Sequence, residues 1–274
     1  MTFINPKTDF AFKKIFGSKK SKEILISFLN AILYQEQEMI QDLEILDPYQ
    51  SPRIQGIKDS YLDVKAVITG NKTVIIEMQV LNVLGFEKPV LYNAAKAFSI
   101  QLGVGEDYNL LNPVIALTIT DFEMFANSTN VISRYCLKEK ETLTDYTDDI
   151  ELVFVELPKF NKTLEESETL TDKWLYFLKF ANTLKDVPPP MATIPALKQA
   201  FTIARQSKLT KRELEALEKR EIFIQDSQNA IRKAKLDGMR EKAITIAREL
   251  LDVLDIETIS QKTGLSIAEI QELN

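Results

Sequence analysis

The sequence predicts a mixed α/β fold, a central sheet flanked by helices and followed by a helical extension. Three observations carry that expectation. Apolar residues recur at helical spacing near the N-terminus, short β-branched runs with period-two alternation fill the middle, and beyond Pro158 the pattern is helical and highly charged. Helix, strands, helix, strand is the order of a mixed sheet. The change of character divides the chain into a sheet-containing core, 1–163, and a helical C-terminal region, 164–274.

Taken in order, residues 8–34 place Phe12, Ile15, Phe16, Ile24, Leu25, Phe28, Leu29 and Ile32 at helical spacing. Gly17-Ser18 splits them into two helices, with Ser21 as the expected N-cap of the second. LEILD (43–47) reads as a short strand and is followed by the turn-rich PYQSPRIQG (48–56). SYLDVKAVI (60–68) and TVIIEMQVL (73–81) are strands joined by TGNK, whose Gly-Asn pair is a strong hairpin signal. Residues 86–103 return to a helical period, and NPVIALTITDF (112–122) reads as a buried strand. VISRYCLK (131–138) and ELVFVELP (151–158) are further strands.

Residues 164–185, with Trp174, Phe177, Leu178 and Phe180, read as a helix that VPPP (187–190) breaks. TKRE (210–213) and SIAE (266–269) both have the form of a capping box. Residues 243–254 align Ala243, Ile246, Ala247, Leu250, Leu251 and Leu254 on one stripe. That stripe must pack on the core, a neighbouring helix or a second subunit, so a homodimer is one expected assembly. DIETISQKTGLSIAEIQEL (255–273) pairs two short helices like the opening of a helix-turn-helix, with Gly264 at a C′ position and Ser266 at an N-cap. No recognition helix of normal length follows it, so it reads as a packing or regulatory element.

Composition narrows the chemistry. An apolar fraction of 45% and a charged fraction of 27% are ordinary for a globular protein. No apolar run approaches the ~18 residues that span a bilayer, and MTFINPKTDFAFKK lacks the apolar stretch of a secretory signal, so the expected address is the cytoplasm. The one cysteine, Cys136, excludes an intramolecular disulfide and a cysteine zinc cluster. Histidine is absent, which removes Ser-His-Asp and Cys-His catalysis and every histidine base. A metal site must then be built from carboxylates, amides and carbonyls, donors that suit Mg²⁺ or Mn²⁺. The net charge is −6, yet Lys7, Lys13, Lys14, Lys19, Lys20 and Lys22 face only Asp9 within 7–22, and RKAKLDGMREK (232–242) is also basic. These runs are either solvated helix faces or a local phosphate-binding surface.

Strand parity then singles out a site. Even positions of both hairpin strands are apolar: Leu62, Val64, Ala66 and Ile68 on one, Val74, Ile76, Met78 and Val80 on the other. Odd positions carry Tyr61, Asp63, Lys65 and Val67, and Ile75, Glu77, Gln79 and Leu81. The two polar faces coincide only across a loop of odd length. A Thr69-Gly70-Asn71 loop sets Asp63 opposite Glu77, whereas a Gly70-Asn71-Lys72 loop sets Asp63 opposite Gln79 and Lys65 opposite Glu77. The plain alternative is a wet hairpin face on which Lys65 and Glu77 make a surface ion pair worth under ~1 kcal/mol. Tyr61, Val67, Ile75 and Leu81 make the face too apolar for full exposure and favour a partly covered site.

Asp63, thirteen residues, then Glu77-x-Gln79 resembles the PD-(D/E)xK nuclease signature with glutamine in place of lysine. NPKTDFAFKKIFG (5–17), IIEMQ (75–79), QLGVGEDYNLLNPVIALTITDFEMF (101–125) and VFVELPKF (153–160) resemble, in that order, the Rpn family of recombination-promoting nucleases, also labelled transposases. The tail, IAREL-L with IETISQKTGLSIAEIQEL (256–273), resembles the same family. The resemblance implies a restriction-endonuclease-like PD-(D/E)xK core over 1–163. It also implies a Mg²⁺- or Mn²⁺-dependent endonuclease acting on double-stranded DNA with low sequence specificity, in recombination, mobile-element or defence biology. By motif it makes Asp63 and Glu77 the metal-binding pair, puts Gln79 at the lysine position, and matches Asp9, on the first helix, to an acid that many relatives contribute to the same metal site.

Gln79 can neither take up a proton nor carry charge, so Lys65 is the expected substitute. Lys13 and Lys14 are expected on the DNA backbone, with Tyr92, in KPVLYNAAKAF, the survivor of an arginine-and-tyrosine pattern. A catalytically decayed DNA-binding or assembly protein is the alternative. A three-acid transposase on an RNase H-like fold lacks a placed third acid.

Overall fold

The computed structural model of the protein describes residues 3–50, 60–83 and 85–273. Thr8 caps α1 (Asp9–Phe16), its hydroxyl accepting from the Ala11 N–H at 3.3 Å. A 3₁₀ turn at Lys19–Ser21 separates α1 from α2 (Lys22–Tyr34). Ser21 does stand at the start of α2 but does not cap it, because its hydroxyl is shared with Ser18 at 2.7 Å. Strand β1 (Leu43–Leu46) follows, and β2 (Tyr49–Gln50) pairs with β3 (Ser60–Tyr61). The expected turn at 48–56 is therefore strand at Tyr49–Gln50, and its remainder, 51–56, lies outside the described residues.

Next come β4 (Val64–Ile68), β5 (Thr73–Gln79), α3 (Glu87–Ser99), β6 (Val114–Thr120), β7 (Ile132–Lys138) and β8 (Asp145–Glu156). Strand β8 begins at Asp145 rather than Glu151, because its polar first half, DYTDDI, is held by pairing with β7 and not by burial. The helices α4 (Leu170–Phe180), α5 (Pro189–Ala192), α6 (Pro195–Ala204), α7 (Lys211–Leu250), α8 (Ile256–Thr263) and α9 (Ile267–Gln271) complete the chain. Helix α4 starts later than its apolar pattern, at a capping box of Thr169 and Asp172, and ends at Phe180 in a 3₁₀ turn (Ala181–Thr183) before VPPP is reached; VPPP instead supplies the proline that opens α5.

Six strands form one sheet in the order β1-β4-β5-β6-β8-β7. Strands β5, β6 and β8 run parallel, while β1, β4 and β7 are antiparallel to their neighbours. The β5–α3–β6 crossover is what a parallel pair requires. From the even face of the hairpin, Val64, Ala66, Ile68, Val74, Ile76 and Met78, with Ile115, Leu117, Ile119, Val153 and Val155, join the core built with Phe12, Phe16, Phe28, Trp174, Phe177 and Phe201. Each such side chain larger than alanine, fully buried, contributes about 1.5–3 kcal/mol. Leu62 does not join this core: the strand is interrupted between Tyr61 and Val64, and Leu62 packs with Ile75 and Ala94 instead. Across the sheet, α3 lays Ala94 and Ala97 over Ile75, Val114 and Ala116. Small residues on both sides let the helix lie close.

Contacts divide the chain into Met1–Glu221 and Ile222–Asn274. The change at 163/164 marks where strands give way to helices, but α4 and α6 share the core of the sheet. In the second unit Ala247, Ile259, Leu265 and Ile270 are buried, with Ala243, Leu250, Leu251 and Ile256 against them. The stripe on α7 thus meets the neighbouring helices α8 and α9, while Ile246 and Leu254 stay 37% and 39% exposed. Gly264, at φ 74°, and Ser266, whose hydroxyl accepts from Glu269, make the predicted turn between α8 and α9. Among the described residues no helix is long and apolar enough to cross a membrane.

Candidate active site

The turn at TGNK decides the site. The Ile68 N–H donates to the Lys72 carbonyl at 2.9 Å, closing a Thr69-Gly70-Asn71 loop in which Gly70 (φ 80°) and Asn71 (φ 58°) are left-handed. Val64 pairs with Ile76 and Lys65 with Ile75. Of the two odd-length registers, this is the one that carries Asp63 opposite Glu77. The Asp63 N–H extends the ladder by donating to the Ile76 carbonyl at 3.2 Å.

Both acids are fixed by donors. Asp63 Oδ2 accepts from the Met78 N–H at 2.8 Å, and its Oδ1 lies 3.2 Å from Lys13 Nζ. Burial raises the Asp63 pKa; the Met78 N–H and Lys13 oppose that rise, and the charge of Asp9 adds to it. Glu77 Oε1 accepts from Asn93 Nδ2 of α3 at 2.5 Å. Burial pushes the Glu77 pKa to about 7, with the Asn93 hydrogen bond resisting and the Asp63 charge reinforcing. Two poorly hydrated carboxylates that repel one another are stabilised by a proton or by a cation.

Asp9, in the first turn of α1, acts on Asp63 through space, but its own Oδ1 is paired with Arg220 Nε at 2.9 Å. Among the described residues no three acids or cysteines converge on a possible metal site, and Asp63 and Glu77 stand opposite each other as a pair. Such a pair fits Mg²⁺, which keeps several waters and is bound through one or two carboxylates plus substrate phosphate.

The remaining expected residues are distributed unevenly. Gln79 shares the face of Glu77, beside Thr120, and its Nε2 donates to the Leu81 carbonyl at 2.8 Å. Lys65 lies opposite Ile75; burial lowers its pKa and Asp47 acts against that, while Glu77 is bonded to Asn93 instead. Lys14 is paired with Glu213, Lys7 with Asp121 at 2.9 Å, and Lys22 with Asp42. Much of the N-terminal basic run is therefore matched by acids. Tyr92, on α3, is 40% exposed, with Lys96 Nζ 5.9 Å from its ring centre. Asn93, which holds Glu77, escapes sequence reasoning, its one signal being an amide beside Tyr92 in a helix otherwise read for its apolar period.

A family model described as PD-(D/E)XK nuclease family transposase matches residues 6–234. No curated protein and no solved structure matches the chain.

Proposed function

For a chain that belongs to the PD-(D/E)XK nuclease family transposases, we propose a metal-dependent DNA endonuclease that hydrolyses phosphodiester bonds with little sequence specificity. The observation that carries the reading is the placement of Asp63 beside Glu77 on one partly covered face. Asp63 Oδ2 is held by the Met78 N–H and Glu77 Oε1 by Asn93, while Asp63 Oδ1 meets Lys13, so a cation shared by the two acids would compete with Lys13 for Asp63. Bound there, Mg²⁺ or Mn²⁺ supplies a lowered pKa for water and neutralises charge on the phosphate. Glu77 must shed its proton to take part, and Asn93 favours the ionised form. Gln79 orients groups but transfers no proton. Contacts from lysines and from Tyr92 to the DNA backbone carry no sequence information, which accounts for low specificity.

The test is plasmid nicking by the full chain with Mg²⁺, Mn²⁺ or chelator. Asp63→Ala and Glu77→Ala are expected to abolish cation-dependent nicking while the chain stays folded, Asp63→Ala changing stability by no more than ~1–2 kcal/mol. Undiminished nicking by both variants overturns the site. Gln79 in place of lysine favours one other reading, a decayed relative that binds DNA only, and intact DNA binding with no Mg²⁺ or Mn²⁺ uptake would establish it.

A further inference from the structure

We propose that Lys13 supplies the positive charge that Gln79 cannot, so that the ammonium resting on Asp63 is the one that meets the scissile phosphate. The proposal rests on the nuclease reading. Lys13 Nζ lies 3.2 Å from Asp63 Oδ1, with its side chain 43% exposed against 13% for Asp63. The amine thus reaches the carboxylate from the side open to solvent, where a phosphate backbone would arrive. Its position is built into α1: the Thr8 cap and buried Ala11, Phe12, Ile15 and Phe16 fix the helix, and Asp9 and Lys13 share one face.

The other lysines are worse placed. Lys14 is held by Glu213 and Lys7 by Asp121. Lys65 is partly buried, opposite Ile75 and under the influence of Asp47. Gln79 turns its amide nitrogen to the Leu81 carbonyl.

Lys13 is also bound loosely enough to move. Asp63 is largely buried, but the Lys13 ammonium is 43% exposed on a flexible four-carbon stem, so it can leave the carboxylate without itself losing solvent. A divalent cation held by Asp63 would compete with that ammonium for the carboxylate. Displaced, the ammonium is left beside a phosphate whose negative charge grows in the transition state. Lys13 gives up no proton in this role. Water oxygen bonds to phosphorus, the bond from phosphorus to the leaving sugar oxygen breaks, and the water proton ends on solvent or on the leaving oxygen.

Lys13→Gln and Lys13→Arg in the full chain test the assignment by three measurements: Mn²⁺ binding by calorimetry, affinity for a DNA duplex in chelator, and single-turnover cleavage at saturating DNA. Lys13→Gln is expected to slow cleavage about 100-fold, as loss of one transition-state donor does. Its Mn²⁺ affinity should be equal or tighter, because a competitor for Asp63 is gone. Its DNA affinity should stay within about threefold, since one backbone contact is a minor share of the whole. Lys13→Arg should recover part of the rate. Cleavage by Lys13→Gln near the wild-type rate overturns the proposal, as does a defect cured by more DNA or one that follows weakened Mn²⁺ binding. A wild-type chain that cleaves nothing with either cation overturns the nuclease reading itself, and the proposal with it.

Discussion

Glu77 couples the site to stability as well as to chemistry. Its pKa stands near 7 against an ordinary 4.5, through burial first and the Asp63 charge last, with Asn93 pulling the other way. Below the unfolded value both states are protonated and Glu77 costs nothing. As pH rises to about 7, the unfolded chain ionises while the folded chain resists, so stability is lost across that window. The full loss above it is on the order of 3 kcal/mol. Burial raises Asp63 in the same direction. Urea unfolding in chelator should therefore show the wild type weakening from pH 5 to pH 8. Glu77→Gln, which keeps an oxygen for Asn93, should weaken far less and be the more stable protein at pH 8; equal slopes would mean that Glu77 is solvated. Strand parity and an odd loop put Asp63 and Glu77 on one face but leave two registers open, and it is the turn bond from Ile68 to Lys72 that sets them opposite. The Asn93 hydrogen bond to Glu77 and the Lys13 pair with Asp63 are not legible in the sequence, because each side chain reaches the hairpin from a separate helix.

Among the elements, the hairpin turn carries the most. Three loop residues hold both acids on one face, and two would put them on opposite faces. Deleting Asn71 should therefore either lower the melting temperature as the strands fight their register, or leave a folded chain without Mn²⁺ binding. A deletion variant with wild-type melting and wild-type Mn²⁺ affinity would rule out the register argument. A milder probe is Thr8→Ala, which removes the cap of the helix bearing Asp9 and Lys13 and should cost about 1 kcal/mol in urea unfolding. Legibility at this scale followed burial. A strand wholly in the core, such as β6, reads true, as do the capping boxes at Thr210 and Ser266, whereas the run 60–68 is divided into β3 and β4 on either side of Leu62–Asp63. The polar half of β8 has no sequence signal because pairing with β7 leaves no apolar trace, and Ser21 reads as a cap because its bond to Ser18 is invisible in sequence.

For the molecule as a whole, the separation into Met1–Glu221 and Ile222–Asn274 predicts two unfolding events. The first unit has a deep aromatic core; the second rests on Ala247, Ile259, Leu265 and Ile270, a core small enough to be marginal. Ala247 is fully buried on α7, so Ala247→Glu forces an unpaired charge into that cluster. The cost, several kcal/mol by order of magnitude, is comparable to all the stability so small a core provides. The sole tryptophan, Trp174, is fully buried in the first unit, so its fluorescence follows that unit alone. In Ala247→Glu the Trp174 transition should keep its wild-type midpoint, while limited proteolysis cuts rapidly within 251–273. A Trp174 midpoint that falls together with protease resistance would show that the two units unfold as one, and that the boundary inside α7 has no energetic meaning.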